Sequence, residues 1–134
     1  MAIDIVDPIP ANDANIKKVI EAVSAVTGVR EADIMRKSRL REHVAARNMC
    51  FSVLRMGLGM TFMTIAAYFE KHHATVIHAV KINEFDMDTN VAYRSRFETI
   101  LSQLGVRYAE KITHGDVIET IIKDLFRRQP IVID

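Results

Sequence analysis

These 134 residues contain no tryptophan, one cysteine, three prolines and five glycines. A single thiol, Cys50, excludes an internal disulfide, and its apolar helical surroundings mark a buried, inert sulfur rather than a nucleophile. No apolar run approaches the ~18 residues of a membrane-spanning helix. The start, Met1-Ala2-Ile3-Asp4, lacks the basic-then-apolar pattern of a secretory signal. Together these features point to a soluble, cytoplasmic protein without a membrane partner. No Gly-x-x-x-x-Gly-Lys-Thr/Ser loop occurs, so the sequence has no cradle for nucleotide phosphates and no ATPase module. Catalysis has no footing either. His43 and Cys50 lie two helical turns apart with no third group to orient them, and the scattered carboxylates form no acid/base pair.

What is present is a basic centre. Hydrophobic residues make up 49% and charged residues 26% of the chain, the balance of a soluble domain long enough to bury one core. The net charge of +1 is unevenly spread. Residues 1–35 hold three Lys/Arg against six Asp/Glu, residues 36–83 hold eight against two, and residues 84–134 hold seven against nine. A positive middle between mildly acidic flanks suits a face that meets a polyanion.

Periodicity makes the fold all-α. Residues 1–10 read as an extended arm, with Pro8 and Pro10 excluding helix. Asn12 or Asp13 caps a helix to about Thr27, whose Ile16, Val19, Ile20, Val23 and Val26 form one stripe and whose end is Gly28. A short turn over 29–35 leads to Arg36-Lys37-Ser38-Arg39-Leu40-Arg41, a basic loop without apolar period. Helix resumes from about Glu42 to Leu58, with Val44, Met49, Val53, Leu54 and Met56 inward and Gly57 and Gly59 breaking it. Thr61 caps a short helix carrying Phe62, Ile65, Ala66 and Phe69. Another helix runs from His72 to about Ile82 with Val76, Ala79 and Val80 turned to the core. Met87 to Leu104 predicts a further helix on Tyr93, Phe97, Ile100, Leu101 and Leu104, closed by Gly105. A last one carries Val117, Ile118, Ile121, Ile122, Leu125 and Phe126 before Pro130 and an Ile131-Val132-Ile133 tail. Met49, Met56, Met60 and Met63 read as core filler. The expectation is one domain, 1–134, of about six helices plus an extra C-terminal helix.

Two short helices joined by a tight turn, the second opening on His72-His73-Ala74-Thr75-Val76-Ile77-His78-Ala79, describe a helix-turn-helix. Over residues 16–82 this order resembles the C-terminal DNA-binding domain of DnaA-type bacterial replication initiators, with 84–134 as a C-terminal helical extension. The family's string at the recognition helix is typically Asp-His-Thr-Thr-Val, an aliphatic residue, His, then Ala or Ser. The resemblance implies that helix 72–82 enters the major groove while loop 36–41 reaches the backbone or the minor groove. It places His73, Ala74 and Thr75 at base edges, and His78 and Lys71 nearer the phosphates. Arg36, Lys37, Arg39 and Arg41 supply the loop contacts, Arg47 matches a basic position early in the long helix, and His72 and Thr61 complete the DNA-binding set. The chain departs from the family pattern in four ways. His72 stands for Asp, Ala74 for a threonine, Ala45 for the minor-groove arginine, and Glu70-Lys71 for the turn glycine. The altered readers imply an altered target.

The function expected is sequence-preferring binding of double-stranded DNA, as an accessory replication or regulatory factor. The alternative is a protein-interaction adaptor that kept the fold and lost readout, using the last helix and tail for a partner or for self-association. No cofactor is implied. A metal is not expected, since His73 and His78 stand about 140° apart around a helix and no Cys or acidic cluster supplies further ligands.

Overall fold

The apolar stripes assemble around one helix. In the computed structural model, which describes residues 2–111, the elements run β1 (Ala2–Asp7), α1 (Asp13–Thr27), α2 (Glu31–Met35), α3 (Arg41–Gly57), α4 (Phe62–Tyr68), α5 (His73–Thr89), α6 (Val91–Leu104) and β2 (Arg107–Lys111). Helix α3 packs against all five other helices and against β1. Its second half carries Met49, Cys50, Phe51, Val53 and Leu54, each almost wholly buried. Such a helix is apolar nearly all round because neighbours cover it on every side. Phe51 meets Phe69 of the α4 end edge-to-face with centroids 5.0 Å apart, the arrangement that ring quadrupoles favour.

The helix starts follow capping chemistry. Asn12 accepts from the Asn15 N–H at 2.8 Å and opens α1. Gly28, at φ 78°, closes it in the left-handed conformation that a residue without Cβ adopts freely. The expected stripe is buried at Ile16, Val19, Ile20 and Val23, with Val26 packed at its edge. Helix α6 buries Phe97, Ile100 and Leu101 in the same way.

Of three expectations, two need correction and one, the extended N-terminal arm, is sharpened. The helix that opens at His73 does not stop near Ile82 but continues to Thr89, and the next begins at Val91 rather than Met87. Residues 82–89 contain neither Gly nor Pro, and buried Asn83 and Met87 extend the stripe begun by Val76, Ala79 and Val80. The break comes at Asn90, whose Oδ1 accepts from the Tyr93 N–H at 3.0 Å. Second, the N-terminal arm is a strand, paired antiparallel with β2 in the register Ala2↔Lys111 to Ile5↔Tyr108, with an irregularity before Asp7. Ile3 of β1 is buried, and Ile5 and Tyr108 lie half-covered against the core. Third, Met63 is exposed, whereas Met49 and Met60 fill the core. The last helix expected over Val117–Phe126, and the tail after it, lie outside the described residues.

A buried polar clasp ties the α5 extension down. The Tyr93 hydroxyl donates to Asn83 Oδ1, and Asn83 Nδ2 approaches Met56 Sδ at 3.6 Å. Burial, with Asp86 nearby, pushes the Tyr93 phenol above its ordinary value, so it stays a donor.

If Asn90 starts α6, Asn90→Ala removes one cap and should cost about 1 kcal/mol, while Asn90→Asp should cost little. Urea unfolding midpoints at constant slope would show the ordering.

Candidate nucleic-acid interface

Helix α4 opens on Thr61, whose Oγ1 accepts from the Thr64 N–H at 3.2 Å and pairs with the Thr64 hydroxyl at 2.7 Å. It ends in a turn that closes without glycine. The Glu70 N–H donates to the Ala67 carbonyl at 3.2 Å and the Lys71 N–H to the Ala66 carbonyl at 2.8 Å. These are the two bonds of a Schellman ending. Glu70 takes the left-handed position at φ 54°, where the family pattern has glycine. A side chain there is strained, yet the turn keeps its path.

His72 then serves as the N-cap of α5. Its Nδ1 accepts from the Ala74 N–H at 3.1 Å, so the imidazole does the capping that an aspartate would otherwise do. Its ring stacks on His73 with centroids 4.4 Å apart. His72, His73, Ala74, Thr75 and His78 are all exposed, and Lys71 is half-exposed. Val76, Ala79 and Val80 hold the opposite face of the helix in the core. The first two turns of α5 therefore offer a polar edge on a fixed support.

The first half of α3 borders the same edge. Val44 and Asn48 line one wall of a shallow cleft whose other wall is Ala74, Thr75, His78 and Ala79. Asn48 escaped the sequence reading because it lies mid-helix among apolar positions. The signal that could have found it is its spacing of four from Val44, which puts both on one face.

The basic residues divide into two groups. Arg36, Lys37, Arg39 and Arg41 are exposed, with Arg41 the first residue of α3 rather than the end of a loop. Arg36 pairs with Asp33 at 3.3 Å and Arg30 pairs with the same carboxylate at 3.0 Å. The hydrogen bond from Arg30 leads in holding the Asp33 carboxyl below its ordinary value; burial opposes it, and the charges of Arg30, His43 and Arg36 assist. Arg47 belongs elsewhere. It is only 4% exposed, and its guanidinium donates to the carbonyls of Ile34 at 2.8 Å, Ser38 at 3.2 Å, Asp33 at 3.4 Å and Arg36. In this structure it faces the inside of the loop, and no surface is left on it for a phosphate. Burial pulls its pKa below the ordinary value, though a guanidinium remains charged. Cys50 beneath it is fully buried and its thiol is pushed up by desolvation, as expected of an inert sulfur. Among the described residues no group of three or more His, Cys, Asp or Glu side chains could hold a metal, and no helix is long and apolar enough to cross a membrane.

Two helices at a tight turn, the second anchored behind and polar in front, define a helix-turn-helix of the DNA-binding kind. The chain belongs to the bacterial dnaA protein helix-turn-helix family, which it matches over residues 16–82. It is 32% identical over 81 residues to a chromosomal replication initiator protein DnaA 2 of Protochlamydia amoebophila, covering 60% of this chain and 18% of that one. It is 33% identical over 92 residues to the DnaA initiator of Campylobacter concisus, covering 67% and 21%. With the DnaA initiator of Pseudothermotoga lettingae it shares 27% over 85 residues, covering 63% and 19%. The chain thus spans about a fifth of the length of these relatives. The family match ends at 82, in the middle of α5.

The strain at Glu70 makes a direct prediction. Glu70→Gly relieves the positive-φ cost and should raise stability by about 1 kcal/mol, whereas Glu70→Val should lower it. Thermal melts of the two variants against the parent would check the signs.

Proposed function

We propose that this chain binds double-stranded DNA with sequence preference, as an accessory replication or regulatory factor of the cytoplasm. The observation that carries the reading is the exposed row His73, Ala74, Thr75 and His78 on the first turns of a core-anchored α5. Side chains at that end of a recognition helix reach base edges in the major groove before the backbone blocks them. His73 and Thr75 offer hydrogen bonds, while Ala74 offers only a methyl contact, suited to the methyl of thymine. Arg36, Lys37, Arg39 and Arg41 supply cations for phosphates or the adjacent minor groove. Lys71, His72 and Thr61 flank the turn and take backbone contacts. Family membership and the excess of Lys/Arg in residues 36–83 support the same reading.

Affinity should fall steeply with salt. With about four to five phosphates neutralised at roughly 0.9 each, log K against log salt should slope by about −3 to −5. Selection from random duplex oligonucleotides should enrich one motif. On it His73→Ala or Thr75→Ala should cost about 1–3 kcal/mol and little on random DNA. Removing charge at Arg39 and Arg41 together should weaken all duplexes alike if both touch phosphates. It should instead weaken A·T-containing targets selectively if one of them replaces the minor-groove arginine absent at Ala45. Absence of binding at low salt would overturn the reading in favour of an adaptor that recognises protein.

A further inference from the structure

Loop 36–40 holds three exposed cations in five residues. Such a segment has no apolar side chain to anchor it inside, since Leu40 itself is 58% exposed. Its path must be set by its backbone. The carbonyls of Asp33, Ile34, Arg36 and Ser38 all point inward to one guanidinium, that of Arg47, one and a half turns into α3. The Ser38 hydroxyl adds a second tie, to His43 Nδ1 at 2.8 Å and from the Leu40 N–H at 3.2 Å.

We propose that Arg47 is the positioning residue of the interface. Rather than touching DNA, it gathers the loop carbonyls so that Arg36, Lys37 and Arg39 are turned outward at a fixed spacing. This inference rests on the DNA-binding reading for its consequence, but the loop geometry stands without it. The arrangement needs the planar fork of arginine. Five N–H donors in one plane can serve four carbonyls spread over six residues, whereas a lysine ammonium is a point donor on a flexible stem. Removing the fork strips this donor from the Asp33, Ile34 and Ser38 carbonyls and leaves that of Arg36 only the Ser38 N–H, and the loop escapes to hydrate them.

The test compares Arg47→Met, Arg47→Lys and a core truncation remote from the loop, Val53→Ala, all in the full chain. Each is used at a temperature where circular dichroism shows it folded. Amide hydrogen exchange over 34–40 should quicken at least tenfold in both Arg47 variants relative to Val53→Ala. With a random duplex, both should show a salt slope shallower by about 2, as if two phosphate contacts were lost, while Val53→Ala keeps the parent slope. Unchanged exchange in Arg47→Met would overturn the proposal whether or not the protein binds DNA. Recovery of slope and protection by Arg47→Lys would overturn the requirement for the fork. Quickened exchange with an unchanged slope would show that the loop cations contribute nothing to binding, and the positioning role would fall. A parent that binds no duplex, with exchange still quickened, would defeat the DNA-binding reading and leave Arg47 as the loop's organiser.

Discussion

Burial along α3 is the constraint on which the other elements depend. The helix packs against all five other helices, so it cannot shift without opening the core around Phe51, Val53 and Leu54. Tightly packed interiors transmit such a constraint rather than absorb it. The first half of the same helix carries parts of the candidate interface. Arg41 opens it, Val44 and Asn48 wall the cleft beside α5, and Arg47 reaches back to hold the basic loop. One rigid rod thus sets the position of both the loop and the recognition helix.

The turn between α4 and α5 closes in a Schellman ending without a glycine. The Schellman bonds persist with Glu70 in the place of glycine, because the two hydrogen bonds and the burial of Ile65, Ala66 and Phe69 outweigh a strain of order 1 kcal/mol. The α5 cap persists with His72, because an imidazole nitrogen can accept as a carboxylate oxygen does. Both residues alter the charge pattern at the turn while serving its backbone hydrogen bonds. As the cap of α5, His72 brings an imidazole rather than a carboxylate to that end of the helix.

Much of the fold was legible as period. The stripe from Ile16 to Val23 and that from Phe97 to Leu101 read directly as buried helix faces, and the stops at Gly28 and Gly105 followed from left-handed caps. The boundary between α5 and α6 was not legible, because Asn90 is a single polar residue in a polar stretch and only its bond to Tyr93 marks it as a cap. Strand β2 is five residues long and depends on pairing with a strand a hundred positions away, information that local pattern does not hold. Within the interface, residue type identified His73, Thr75, His78 and the loop cations as polar and exposed. Type alone misjudged Arg47, since an arginine on the surface and one satisfied by four carbonyls look the same in a sequence.

As proposed, the first turns of α5 and the basic loop meet DNA together. Nuclear magnetic resonance titration of isotope-labelled protein with its selected duplex tests this most directly. Amide shifts should concentrate at residues 36–41, 44–48 and 71–79, with α6 and the two strands unmoved. Shifts confined to the second half of α5 and the start of α6, around exposed Phe85 and Val91, would contradict it.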